Sequence, residues 1–123
     1  MRCIIKKVGQ EPEFVEAKTQ NPWSELCKSK KGSGCCDAAG LGRTKDGEAS
    51  MYVYFDDLGY TYRNEIGYNC NIHSGTEIFE NKLYGDIVFI RTDYHGESID
   101  CKDEDMKFVK EIIFYSQTEK GYN

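Results

Sequence analysis

The clearest inner-strand pattern is the apolar run within residues 85–92, Gly-Asp-Ile-Val-Phe-Ile-Arg-Thr. As a strand, this segment points Asp86, Val88 and Ile90 one way and Ile87, Phe89 and Arg91 the other. Both sets are mostly apolar, which predicts an inner strand covered on two faces. Residues 51–56 form a second strong strand: Met51, Val53 and Phe55 share one face, Tyr52 and Tyr54 the other. Residues 2–8 are rich in Ile and Val. They are followed by the turn signal Gly9-Gln10-Glu11-Pro12 and by a return strand over 13–17, so the chain is expected to open with a hairpin. Residues 35–41 are small and apolar and read as a buried strand. The segment 60–72 resists assignment, because Gly67 and three Asn interrupt any period.

Two helices are expected, at about 21–31 and 103–116. The first starts on Asn21 as cap with Pro22 at its first position, carries Trp23, Leu26, Cys27 and Lys30 at helical spacing, and stops at Gly32-Ser33-Gly34. In the second, Asp103 can cap, Glu104 and Asp105 suit the positive end of the helix dipole, and Met106, Val109, Ile112, Ile113 and Ser116 form the buried stripe. The expected fold is α+β, mainly an antiparallel sheet with an N-terminal hairpin and two helices. Its 123 residues form one domain, long enough for a core without disulfide staples.

Composition narrows the setting. No apolar run is long enough to cross a membrane as a helix, and Met-Arg-Cys-Ile-Ile-Lys-Lys-Val is not a signal peptide, so the reading places the protein in a cytoplasm. There the six cysteines are expected as thiols. The net charge of −5 argues against general binding to nucleic-acid polymers. It is unevenly spread: residues 1–63 hold ten Lys/Arg against nine Asp/Glu, whereas 64–123 hold six against twelve.

Catalytic motifs are thin. Lys30-Lys31-Gly32-Ser33-Gly34 lacks the order of a phosphate-binding P-loop and reads as a helix stop. No Gly-x-Ser-x-Gly elbow exists, and the two His offer a cysteine nucleophile no evident base. Cys70-x-x-His73 has the spacing of a metal half-site, with Cys27, Cys35 or Cys36 as conceivable completion; an adjacent Cys-Cys pair fits one tetrahedral ion poorly. The reading is therefore of a protein that is not an enzyme and has no cofactor or metal.

What stands out is residues 52–71, which hold five of the nine tyrosines together with Arg63 and three Asn. Tyrosine faces stack on bases, arginine pairs with phosphates, and asparagine reads a base edge. Tyr54, Tyr62, Arg63, Asn64 and Arg91 are the candidate ligand-binding residues, with Tyr60 and Asn69 near them. The structural alternative is that the tyrosines pack on strands and the Asn-Gly stretches make turns.

The chain also resembles a family of short, uncharacterised phage and prophage proteins. The resemblance lies in Cys3-Ile-Ile-Lys-Lys-Val-Gly-Gln-Glu-Pro-Glu-Phe-Val-Glu, the helix and glycine turn of 21–34, Tyr54-Phe-Asp-Asp-Leu-Gly followed by Asn64, and Gly85-Asp-Ile-Val-Phe-Ile. Cys35-Cys36 and the 43–50 loop depart from the pattern. In size and architecture the chain is similar to the Thoeris anti-defence sponges, which sequester cyclic-nucleotide signals without chemistry. The resemblance implies a phage protein in the host bacterial cytoplasm that binds a small nucleotide-like ligand, with a subunit boundary of a homo-oligomer as the expected place for the pocket. In that role Tyr54 and Tyr62 would stack on a base, Arg63 and Arg91 would hold phosphates, and Asn64 would read a base edge or ribose. The alternative is an inhibitor that docks on a host restriction or CRISPR-type complex through the acidic segment Asp100-Cys101-Lys102-Asp103-Glu104-Asp105, residues that equally suit a helix start.

Overall fold

The computed structural model describes residues 1–27, 35–73 and 82–116. The fold is α+β, dominated by antiparallel sheet. The larger sheet contains β1 (Arg2–Lys6), β2 (Glu13–Glu16), β3 (Cys36–Arg43), β4 (Ser50–Asp56), β7 (Ile87–Thr92) and β8 (Ser98–Ile99). Its order is β2-β1-β7-β4-β3, and β8 pairs with β7 beyond the end of β1. The smaller sheet, β6-β5-β9, is built from β5 (Tyr68–Ile72), β6 (Lys82–Tyr84) and β9 (Ile113–Phe114).

The inner strand is where alternation places it. In register with β4, Met51 lies opposite Arg91 and Val53 opposite Phe89, while Tyr52 meets Ile90 and Tyr54 meets Val88. Paired residues share a face, so the two faces of β7 open on two different cores. One holds Ile4, Met51, Val53, Ile87 and Phe89 under the smaller sheet and α3 (Asp103–Ile112); the other holds Cys3, Ile5, Val88 and Ile90 under α1 (Pro22–Leu26). Each fully buried Ile, Val or Phe in these clusters contributes about 1.5–3 kcal/mol relative to exposure.

The helix starts follow their signals. Asn21 Oδ1 accepts from Ser24 N at 3.3 Å and Pro22 takes the first turn, while Trp23 and Cys27 bury against the sheet. The expected continuation of this helix over 28–31 lies outside the described residues. Lys102, not Asp103, stands at the cap position of α3, and its backbone N–H donates to Asp105 Oδ2 at 2.8 Å.

Two expectations fail. The terminal helix stops at Ile112 instead of 116, because Ile113 and Phe114, a β-branched and an aromatic residue, leave it to pair with Ile72 and Asn71 of β5. The strand at 36–43 forms, yet it is an edge strand with mostly exposed positions rather than a buried one. Small side chains read as core, but here they thin an outer edge. Leu41 alone is buried on β3, at a bulge between Gly40 and Gly42 where Gly42 adopts φ 111°. Only glycine takes that conformation without strain. Across the pair, a Cβ on Gly40 would meet the Tyr52 ring at 3.5 Å, ordinary van der Waals contact. Among the described residues no helix is long and apolar enough to cross a membrane.

Candidate functional site

The segment that resisted assignment resolves into a tight turn, the short helix α2 (Arg63–Ile66) and β5. Asp56 begins the turn: its carboxylate accepts from Leu58 N at 2.9 Å and its carbonyl from Gly59 N at 3.1 Å. A Cβ on Gly59 would stand 3.2 Å from Asp56 O and 3.5 Å from Tyr84 Cβ, so the absent side chain is what lets the turn lie against β6. At the other end, Ile66 packs over Gly85, whose φ of +78° also requires glycine. The turn and α2 are thereby pinned to the smaller sheet at two points.

This arrangement fixes a row of aromatic rings. Tyr60 meets Tyr84 edge-on at 6.2 Å, and Tyr84 meets Tyr68 edge-on at 6.1 Å. The Tyr68 hydroxyl donates to Asn71 and accepts from Ser116 N. At the outer end Arg63 stacks on Tyr60, its guanidinium carbon 4.2 Å from the ring centroid, while Nη1 donates to Tyr60 O at 2.7 Å. Tyr60 is 69% exposed and Leu58 46%. Arg63 and Asn64 are exposed, and Tyr62 is half-buried just before the helix. Tyr62, Arg63 and Asn64 are consecutive at the start of α2, and Arg63 carries the contact to Tyr60. Among the described residues the remaining N–H donors of Arg63 meet no acceptor.

Arg91 and Tyr54 lie elsewhere. Tyr54 packs beside Val88 on the α1 face of the larger sheet; Arg91, paired with Met51, faces the α3 side. The sheet stands between them, so they do not line one pocket. The Arg91 side chain is 1% exposed. Its Nη1 donates to Asp105 at 3.0 and 3.2 Å and its Nη2 to Asp46 at 2.8 Å. Lys102 Nζ adds a contact to Asp46 at 2.8 Å and one to Glu48 at 3.3 Å. Burial alone would lower the Arg91 guanidinium, but its bonds to Asp46 and Asp105 outweigh that and hold it above its ordinary value. Lys102 first, then Thr44, the Glu48 amide and Arg91 hold the Asp46 carboxyl well below the usual carboxylate range. The group ties the 44–49 loop to α3 and works as a structural clamp. From the sequence, Asp105 reads only as part of a helix start or an acidic face and Asp46 does not stand out, because no local pattern reveals two carboxylates that converge on one strand arginine from distant segments.

Asn69, expected beside a ligand, sits buried at a bulge of β5, where its amide donates to Lys6 O at 2.8 Å and Gly85 O at 2.7 Å. Of the acidic run at the start of α3 only Asp105 turns inward, to hold Arg91; Asp100 and Asp103 stay exposed, where Asp100 accepts from Arg2 N at 2.7 Å and Asp103 meets Arg2 Nη2 at 3.1 Å.

The Cys70-x-x-His73 spacing places a fully buried thiol three residues from an exposed imidazole. Among the described residues no three His, Cys, Asp or Glu side chains group as a metal site. Burial pushes the Cys3 thiol up to about 11 and the Cys70 and Cys101 thiols to about 12, the Lys6 charge acting against the rise at Cys70. These thiols are inert packing groups at neutral pH.

Comparison with known protein families, with curated proteins and with solved structures finds no match to this chain.

Proposed function

We propose that this protein is a non-catalytic binder of a small nucleotide-like molecule, captured on the surface formed by Tyr60, Tyr62, Arg63 and Asn64. The observation that carries this reading is the Arg63 guanidinium stacked on the exposed Tyr60 ring, with unengaged N–H donors beside it. Such a stack presents a flat π-face and a directional anion donor together, the two groups that hold a base and a phosphate. The turn and α2 are rigidly seated, so little ordering entropy remains for a ligand to overcome. The resemblance to short phage proteins and to the Thoeris sponges supplies a use: removal, without turnover, of a cyclic-nucleotide or cyclic ADP-ribose-type immune signal in the host bacterial cytoplasm. An open surface of this kind gains enclosure if a second copy covers it, which is how a homo-oligomer enters the reading.

Calorimetry tests it, with cyclic ADP-ribose isomers and cyclic di- and trinucleotides titrated into micromolar protein. Saturable heat with one of them, lost in Arg63→Ala while the melting curve stays in place, is the expected result. No heat with any ligand overturns the reading. Recovery of the intact ligand after denaturation separates a sponge from a hydrolase.

A further inference from the structure

Lys6 is the last residue of β1, and its side chain lies on the α3 face of the larger sheet, in register with Ile87. It is fully buried, and among the described residues its Nζ has no hydrogen-bond partner. A lysine amine normally reaches water or pairs with a carboxylate, and a desolvated, unpaired one is costly. Among the described residues its compensation is the face of Tyr115, whose ring centroid stands 5.1 Å from Nζ. Tyr115 also lines a groove of about 180 Å³ between the β1–β2 loop and the end of α3, together with Glu11, Pro12, Lys110 and Ile113. Tyr115 is 37% exposed, so this ring belongs both to the surface groove and to the surroundings of the buried amine.

We propose that Lys6 anchors a binding site for a small carboxylate monoanion with a short or flat apolar body, entered through this groove when the Tyr115 ring swings aside. One unpaired amine matches one negative charge. Glu11 on the rim opposes a dianion such as phosphate, while Lys110 favours the approach of an anion. Pro12 and Ile113 supply apolar walls, and the volume suits a body of benzoate size, given roughly 30 Å³ for each water displaced. This site is separate from the Tyr60–Asn64 surface and does not depend on it.

Benzoate is the probe, with inorganic phosphate at equal ionic strength as the comparison. Benzoate is expected to bind wild-type protein saturably in the millimolar range, as suits one charge-assisted contact in a small groove, and to raise the melting temperature more than phosphate does. Lys6→Met keeps the length of the side chain and removes the charge; its affinity for benzoate should fall at least about tenfold. A second measurement needs no variant: labelling of Lys6 by an amine-acylating reagent, read by peptide mass spectrometry, should slow in the presence of benzoate. Equal binding by Lys6→Met, unchanged labelling of Lys6, or no saturable binding to the wild type would each overturn the proposal.

Discussion

Arg91 and Arg63 carry the same guanidinium into opposite settings. Arg91 lies in the middle of the main sheet, 1% exposed, with Asp105 and Asp46 on its two terminal nitrogens. Arg63 lies on a surface helix, stacked on a ring that is 69% exposed and bonded to one carbonyl. A buried arginine is kept by partners that match its charge, and those partners occupy the donors a ligand would need. An exposed arginine held by a ring retains donors and loses little when nothing binds. Type and spacing do not separate the two cases, because both residues follow aromatic strand-like segments in the sequence.

The comparison breaks most sharply at Arg91. Arg91→Ala leaves the Asp105 carboxylate buried without its partner and should cost about 3–5 kcal/mol of stability, read as a lower urea midpoint. A milder probe is acid. In the unfolded chain Asp46 titrates near the ordinary value of about 3.9, but in the folded protein it stays ionised well below that. Its contribution to stability is therefore complete above about pH 4 and declines as the pH falls further, since protons then favour the unfolded chain. Urea midpoints measured from about pH 6 down to pH 2 should show this decline, and Asp46→Asn should flatten it. The smallest effect belongs to Arg63→Ala, which removes one exposed stack and should change stability by about 1 kcal/mol or less. A loss there as large as that at Arg91 would erase the distinction.

Much of the scaffold was legible before the structure. The two-faced pattern of 85–92, the strand at 51–56, the opening hairpin and the Asn21-Pro22 helix start are set by local alternation and capping. The missed features depend on tertiary neighbours. Residues 35–41 look buried because Ala and Gly are small, yet burial follows sheet position, and the strand that forms at 36–43 is at an edge. Ile113 fits a helical stripe until β5 offers it a strand to join. In the candidate site, Tyr62, Arg63 and Asn64 are consecutive in the segment whose lack of pattern singled it out, and the structure adds the contact of Arg63 with Tyr60. Arg91 and Tyr54 were grouped with them by residue type alone, and the plane of the sheet divides them.

The pairing of β1 with β7 also governs when this protein can become itself. Ile4 pairs with Phe89, and Arg2 bonds across to Cys101, 99 residues further on. The smaller sheet likewise needs Ile113 and Phe114 from the far end of the last helix. During synthesis, the first hairpin emerges long before its neighbour strand exists, so the central sheet cannot close until most of the chain is made. Contacts so distant along the chain make for slow folding, in milliseconds to seconds. Ile4 and Ile5 of β1 stay without their β7 partners through that interval, and the Lys6-Lys7 pair next to them in sequence is charge of the kind that disfavours pairing with another chain.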